Sequence, residues 1–149
     1  MKAIDWKILL WGGGRTGRKA YALAMAAFIV GGWLAHMAGV AAAYAVPGLV
    51  PFVAAPMLAL DALLAWMSVC LCCRRLHDAG RSGWWLVPPM LVVIACFAAA
   101  EPAYAMALGF DEAGAELAAL AGLGVYVVML VALGLLPPSP GPNRFGPPA

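Results

Sequence analysis

The chain has 149 residues, of which 65% are hydrophobic and only 11% are charged, and its mean hydropathy is +0.92. Soluble domains carry about 25% charged residues, and a chain this short has too much surface for so few charges to cover. These figures exclude a soluble, a disordered or a nucleic-acid-binding protein. They predict an integral membrane protein with one domain, residues 1–149.

Four apolar segments of the chain are long enough to cross a bilayer. A helix needs about 20 residues to span the hydrocarbon, and residues 20–60 contain no Lys, Arg, Asp or Glu. Pro47, Gly48 and Pro51 divide that run with a turn. The pattern predicts an all-α bundle of four transmembrane helices, followed by a proline-rich tail that cannot be helical. The helices are expected near 20–45, 52–75, 84–102 and 115–136, and the tail over 137–149.

The nine Lys and Arg residues all fall on one side of these four spans. They precede the first helix, lie between the second and third helices, or lie in the tail, whereas Asp111, Glu112 and Glu116 lie on the opposite side. Cytoplasmic loops of membrane proteins carry the excess of Lys and Arg. We therefore predict that both termini face the cytoplasm.

The segment before the first helix divides into an apolar and a glycine-rich part. Residues 1–11 place apolar side chains at helical spacing together with two lysines, which favours a short helix lying on the membrane surface. Residues 12–19, GGGRTGRK, approach the phosphate-binding pattern GxxxxGK[ST], but Arg18 stands where that pattern needs Lys. No strand precedes the glycines either, so we reject nucleotide hydrolysis and expect a bend.

The densest polar segment is RRLHDAGRSGWW, residues 74–85. We expect Gly80 to close helix 2 in the left-handed conformation and Ser82 to cap helix 3. His77 and Asp78 are neighbours in sequence and do not face each other on a helix, which argues against a catalytic dyad and an enzyme. A polar site at the membrane boundary, able to bind phosphate or carboxylate through arginine, would combine Arg74, Arg75, His77, Asp78 and Arg81.

Three segments resemble, in order, the bacterial inner-membrane family labelled domain of unknown function 805. They are GRTGRKAYALA over 14–24, RRLHDAGRSGWW over 74–85 and PGPNRFGP over 140–147. With the four spans they cover nearly the whole chain. The resemblance implies a small multi-pass protein of the bacterial inner (plasma) membrane, and it implies no activity, substrate or cofactor.

The three segments lie on the same predicted side of the membrane. We expect Asp78 to pair with Arg15 or Arg18 and the tail to fold over the pair. Two interpretations stay open: a salt-bridged clasp that fixes the helix ends, or a pocket for an anionic headgroup or phosphorylated ligand. The leading function is therefore binding of a lipid headgroup, a small anion or a protein partner at this face. The residues expected to converge are Arg15, Arg18, His77, Asp78, Arg81, Asn143 and Arg144.

A small transporter or permeation protein is the alternative function. His36, Asp61 and Glu101 come from three helices and reach similar depths, and ionisable residues inside a bilayer are candidates for proton or cation sites. The competing interpretation is that His36 and Glu101 meet interfacial water and that Asp61 is neutral or bonded to a neighbouring helix.

The cysteines offer a weaker candidate. Cys70, Cys72, Cys73 and His77 have the side-chain types of a metal site, but structural zinc sites combine two separated ligand pairs. We expect packed thiols, with no metal, cofactor or nucleic acid bound. The bilayer is the predicted partner, and the sequence does not specify an oligomeric state.

Overall fold

A computed structural model describes residues 10, 12–46, 48, 50–101, 106, 109 and 111–148. Within those ranges four helices are long and apolar enough to cross a membrane, and no strand forms beyond an isolated bridge between Asn143 and Gly146. The predicted all-α fold with four spans is confirmed. The surface helix expected over residues 1–11 falls outside the described residues except at Leu10.

The helices lie close to the segments that were predicted from the uncharged runs of the sequence. They are α1 (Arg18–Ala45), α2 (Val50–Asp78), α3 (Val87–Ala100) and α4 (Glu112–Leu135), and a 3₁₀ turn, Gly83–Leu86, leads into α3. The main difference is at the end of α2, which continues to Asp78 rather than ending near residue 75. His77 and Asp78 are therefore held on a helix.

Local signals explain where the helices begin and end. Gly80 has a φ of 73° just after the end of α2, as expected. The Ser82 side chain accepts a hydrogen bond from the Trp84 amide, and it caps the 3₁₀ turn rather than α3 itself, whose N-cap is Leu86. Pro88 and Pro89 lie in the first turn of α3, where their missing N–H groups cost no helical hydrogen bond. At the start of α4 the Asp111 carboxylate accepts from the Gly114 amide at 2.8 Å.

The helices pack as two hairpins, α1 against α2 and α3 against α4. Both contacts depend on glycine. A Cβ added to Gly32 would lie 2.9 Å from a methyl of Leu64, and one added to Gly122 would lie 2.9 Å from the Cβ of Cys96. Such small residues let membrane helices approach closely, because lipid tails offer no hydrophobic driving force between them.

The apolar core lies where the two hairpins meet, close to the arginine-rich end of the bundle. Tyr21 and Met25 of α1, Leu71 and Leu76 of α2, and Leu133 of α4 are among its buried side chains. Over the rest of the spans, large apolar side chains are exposed. A bilayer would cover them, which is the arrangement expected of membrane helices.

Candidate functional site: a buried polar network at the basic end

Asp78 is the centre of a buried network at the arginine-rich end, which we call the basic end. Its carboxylate accepts from Arg15 Nε at 2.9 Å and from Arg75 Nη1 at 2.6 Å, and the residue is only 1% exposed. Arg75 lies one turn earlier on α2, whereas Arg15 lies in the segment before α1. Of the two partners that the sequence offered for Asp78, the structure brings Arg15 to it.

Arg15 joins the N-terminal segment to the tail. Beyond Asp78, its guanidinium donates to the carbonyls of Ser139 at 3.0 Å and Gly141 at 2.8 Å, with a longer contact to Gly146 at 3.4 Å. A guanidinium has five N–H donors and no acceptor, and here they meet a carboxylate and a set of backbone oxygens. Arg15 is only 7% exposed, so these bonds are made out of contact with water.

Arg74 holds the glycine-rich segment against the end of α2. Its Nε donates to Thr16 Oγ1 at 3.0 Å, Nη2 donates to the Arg15 carbonyl at 3.2 Å, and Nη1 donates to the Gly13 carbonyl. The segment therefore turns carbonyl oxygens toward a cation. A phosphate-binding loop instead turns its N–H groups toward the ligand, so the backbone direction agrees with the rejection of a nucleotide site.

The proline-rich tail folds back over α2. Both the amide and the hydroxyl of Ser139 donate to the Asp78 carbonyl, at 2.8 and 3.1 Å. The side-chain nitrogen Nδ2 of Asn143 donates to the His77 carbonyl at 2.9 Å. Phe145 stacks on the His77 ring with centroids 3.8 Å apart and planes within 6°, and His77 Nδ1 donates to the Gly14 carbonyl at 3.2 Å.

Arg75 and one further arginine, Arg18, bind the end of α4. Arg75 Nη2 and Arg18 Nε both donate to the carbonyl of Leu136, the latter at 3.1 Å. Carbonyls at a helix C-terminus lack helical partners and carry partial negative charge, so cations are favourable there. Arg75 is fully buried, and its Nε finds no partner within the described part of the chain.

The structure separates the predicted site residues into two groups. Those in the network are Arg15, Arg18, Arg74, Arg75, His77, Asp78 and Asn143. Two others lie outside it: the Arg81 guanidinium lies 5.4 Å from the Trp85 ring centroid and that of Arg144 lies 4.7 Å from the Phe145 ring. Both are exposed.

Several network members were not found from the sequence. Thr16, Ser139 and Phe145 each make a specific contact described above, and Ser139 and Phe145 lie in or beside the PGPNRFGP segment. That segment was noted for Asn143 and Arg144, so its neighbours were within reach of the same argument. The carbonyl of Leu136 carries no sequence signal, because any residue supplies one.

The three intramembrane candidates are exposed and make no polar side-chain contact in the described residues. His36 and Asp61 are exposed on α1 and α2, and Glu101 is exposed immediately after α3. In the described ranges no hydrogen bond or ion pair joins any of the three to another side chain. No cluster of three or more His, Cys, Asp or Glu suited to a metal ion occurs there either.

The model of one protein family, described as protein of unknown function (DUF805), matches residues 12–147. The chain belongs to this family. In this DUF805 protein the match includes all three polar segments and all four apolar helices, and with the helices it indicates a multi-pass membrane protein. Neither a curated protein nor a solved structure matches the chain.

Proposed function

We propose that this protein binds the headgroups of anionic phospholipids at its basic end, and that this end faces the cytoplasm of a bacterial cell from the inner membrane. The observation that carries the proposal is a division among the basic residues. The buried arginines are occupied by internal partners, and a second set of cations at the same end remains exposed.

The exposed set consists of Arg18, which also donates one hydrogen bond to the Leu136 carbonyl, together with Lys19, Arg81 and Arg144. In the part of the chain that the structure describes, neither ion pair involves any of these four cations. Each Lys or Arg beside an anionic membrane surface contributes about 1 kcal/mol of attraction. Trp84 and Trp85, exposed in the 3₁₀ turn before α3, are the aromatic residues expected at headgroup depth.

The arrangement favours headgroups over a compact free anion. Arg15 and Arg75 would be the natural ligands of a buried phosphate, but Asp78 and backbone carbonyls already accept hydrogen bonds from both, and of the Arg75 donors only the buried Nε is left without a partner in the described residues. The exposed cations instead lie around the rim of the bundle, on α1, before α3 and in the tail. A layer of phosphates fits that distribution better than one ion does.

Lipid retention by the purified full chain tests the proposal. We would add phosphatidylglycerol or phosphatidylcholine to the protein in micelles and count bound lipids by native mass spectrometry. The wild type is expected to retain phosphatidylglycerol preferentially. A variant carrying Arg18→Gln, Lys19→Gln, Arg81→Gln and Arg144→Gln is expected to lose that preference. The matched control, Glu112→Gln with Glu116→Gln, changes charge at the opposite end and is expected to keep it.

Three results would contradict the proposal. Equal retention of the two lipids would show that headgroup charge does not determine binding. An unchanged preference in the quadruple variant would show that the exposed cations do not bind the headgroups. Displacement of phosphatidylglycerol by inorganic phosphate would show that the site binds a small anion rather than a lipid headgroup.

The orientation is tested separately with reporters fused to the C-terminus. Because positive residues stay on the cytoplasmic side, a fluorescent protein that matures only in the cytoplasm is expected to fluoresce. A phosphatase that folds only outside the cytoplasm is expected to be inactive. The opposite pair of results would invert the proposed topology.

A further inference from the structure

A groove of about 610 Å³ runs along the α3–α4 hairpin, next to the basic end, and Leu76 of α2 also lines it. Trp85 and Leu86 line it from the 3₁₀ turn and Pro89 from the first turn of α3. Val128 and Ala132 are among the residues that line it from α4. Ligand pockets usually have volumes of about 300–1,000 Å³ and mostly apolar walls. The groove has both properties.

The shape of the groove follows from where the two helices touch. α3 and α4 are in close contact at Gly122 and Cys96, where a Cβ added to Gly122 would lie 2.9 Å from the Cβ of Cys96. Gly124, nearer the basic end, has no atom within 4 Å of an added Cβ, and it lines the groove. The groove therefore begins beside the close contact and extends toward the headgroup region, as a channel for one acyl chain would.

The charge of the groove is confined to one end. Among the described residues that line it, Arg81 is the one that is charged. Arg81 is exposed, and its guanidinium lies beside Trp85. An apolar channel that ends at a cation is complementary to a lipid with an anionic phosphate. We infer that the groove binds one anionic phospholipid, with its phosphate at Arg81 and one acyl chain between α3 and α4. This inference rests on the proposed headgroup binding, and it specifies where one of the bound lipids lies.

A second copy of the chain is a poorer occupant of the groove. A neighbouring copy in the same orientation would need an acidic side chain opposite Arg81. Among the described acids, Asp78 is the one at the basic end, and it is buried and bonded to two arginines. Charge complementarity therefore favours a lipid.

The test uses a variant that fills the groove. Gly124→Leu puts a side chain into the channel without a Cβ clash, and Gly31→Leu, on α1, is the matched control because Gly31 also has open space around it. The probe is phosphatidylglycerol with a photoreactive acyl chain, added to each protein in micelles of phosphatidylcholine. In the wild type, labelled peptides are expected from α3 and α4.

Gly124→Leu is expected to lower this labelling about tenfold, and Gly31→Leu is expected to leave it unchanged. Arg81→Gln is also expected to lower it about tenfold, which corresponds to about 1.4 kcal/mol, because the charged partner of the phosphate is lost. Thermal unfolding within a few degrees of the wild type confirms that each variant folds.

The outcomes separate the groove from the general proposal. If folded Gly124→Leu is labelled like the wild type, the inference that the groove binds a lipid is wrong. Headgroup binding then still stands if the quadruple rim variant loses phosphatidylglycerol. Crosslinking between two protein copies at α3 and α4 would likewise overturn the lipid as occupant. Loss of labelling in Gly124→Leu, with retention in Gly31→Leu, supports the groove.

Discussion

The basic end and the opposite half of the helices are held together in different ways. At the basic end, a carboxylate and several guanidiniums join three segments that are distant in sequence. In the opposite half, helices touch in pairs through glycine contacts, and most large apolar side chains are exposed. Lipid removes the hydrophobic driving force between helices, so directional polar bonds add to the apolar core where the two hairpins meet. These polar bonds are found at the membrane boundary.

The largest expected effect is at Asp78. Asp78→Asn removes the carboxylate that faces Arg15 and Arg75, and leaves two buried guanidiniums without their counter-charge. Breaking a buried ion pair in this way costs about 3–5 kcal/mol. The free energy of unfolding, measured by titrating dodecyl sulfate into mixed micelles, is expected to fall by that amount.

Asp61→Asn is the matched control, because Asp61 is an exposed acid on the same helix. Its free energy of unfolding is expected to stay within about 0.5 kcal/mol of the wild type. Equal losses of unfolding free energy in the two variants would show that the basic end and the lipid-facing spans do not differ in this respect.

The next effect tests the opposite half. Gly122→Val places methyl groups where a Cβ alone would lie 2.9 Å from Cys96, and overpacking of this kind costs about 1–3 kcal/mol. Gly124→Val, two residues later on α4 in open space, is expected to be neutral or stabilising. A reversed order of the two variants in the same unfolding titration would show that α3 and α4 do not meet at Gly122.

The smallest effect concerns the tail. Phe145→Ala removes the ring stacked on His77, and aromatic pairs contribute about 0.5–1.5 kcal/mol beyond the area they bury. We expect a loss of unfolding free energy in that range, together with faster proteolysis of the tail. Phe145→Leu keeps the bulk but not the stack and is expected to recover part of the loss. Full recovery would show that burial, not stacking, holds the tail.

The fold was predictable because charge is scarce. The uncharged run over 20–60 and the prolines that divide it locate α1 and α2, and Gly80 and Ser82 mark the turn before α3. Charge alone did not predict that α2 continues to Asp78, because the arginines that suit a helix end also suit the helix itself. The extra turn places His77 and Asp78 beneath the tail.

The charged core of the site was predictable in membership but not in pairing, and Thr16, Ser139 and Phe145 were not predicted at all. Arg15 and Arg18 are equally near to Asp78 by topology, and the choice depends on the path of the glycine segment, in which Gly14 has a φ of 84°. The depth of His36, Asp61 and Glu101 follows from helix position, but depth does not determine which way a side chain points. All three are exposed, which a count along the chain does not reveal.

The central claim is that the Arg15–Asp78 pair ties the N-terminal segment and the tail to α2. A double-mutant cycle with Arg15→Met and Asp78→Asn tests it directly, and the parallel cycle with Arg18→Met and Asp78→Asn is its control. Residues in one ion-pair network couple by about 0.5–3 kcal/mol. We predict coupling of at least about 1 kcal/mol for Arg15 and less than about 0.5 kcal/mol for Arg18. Additive effects in the Arg15 cycle would contradict the account.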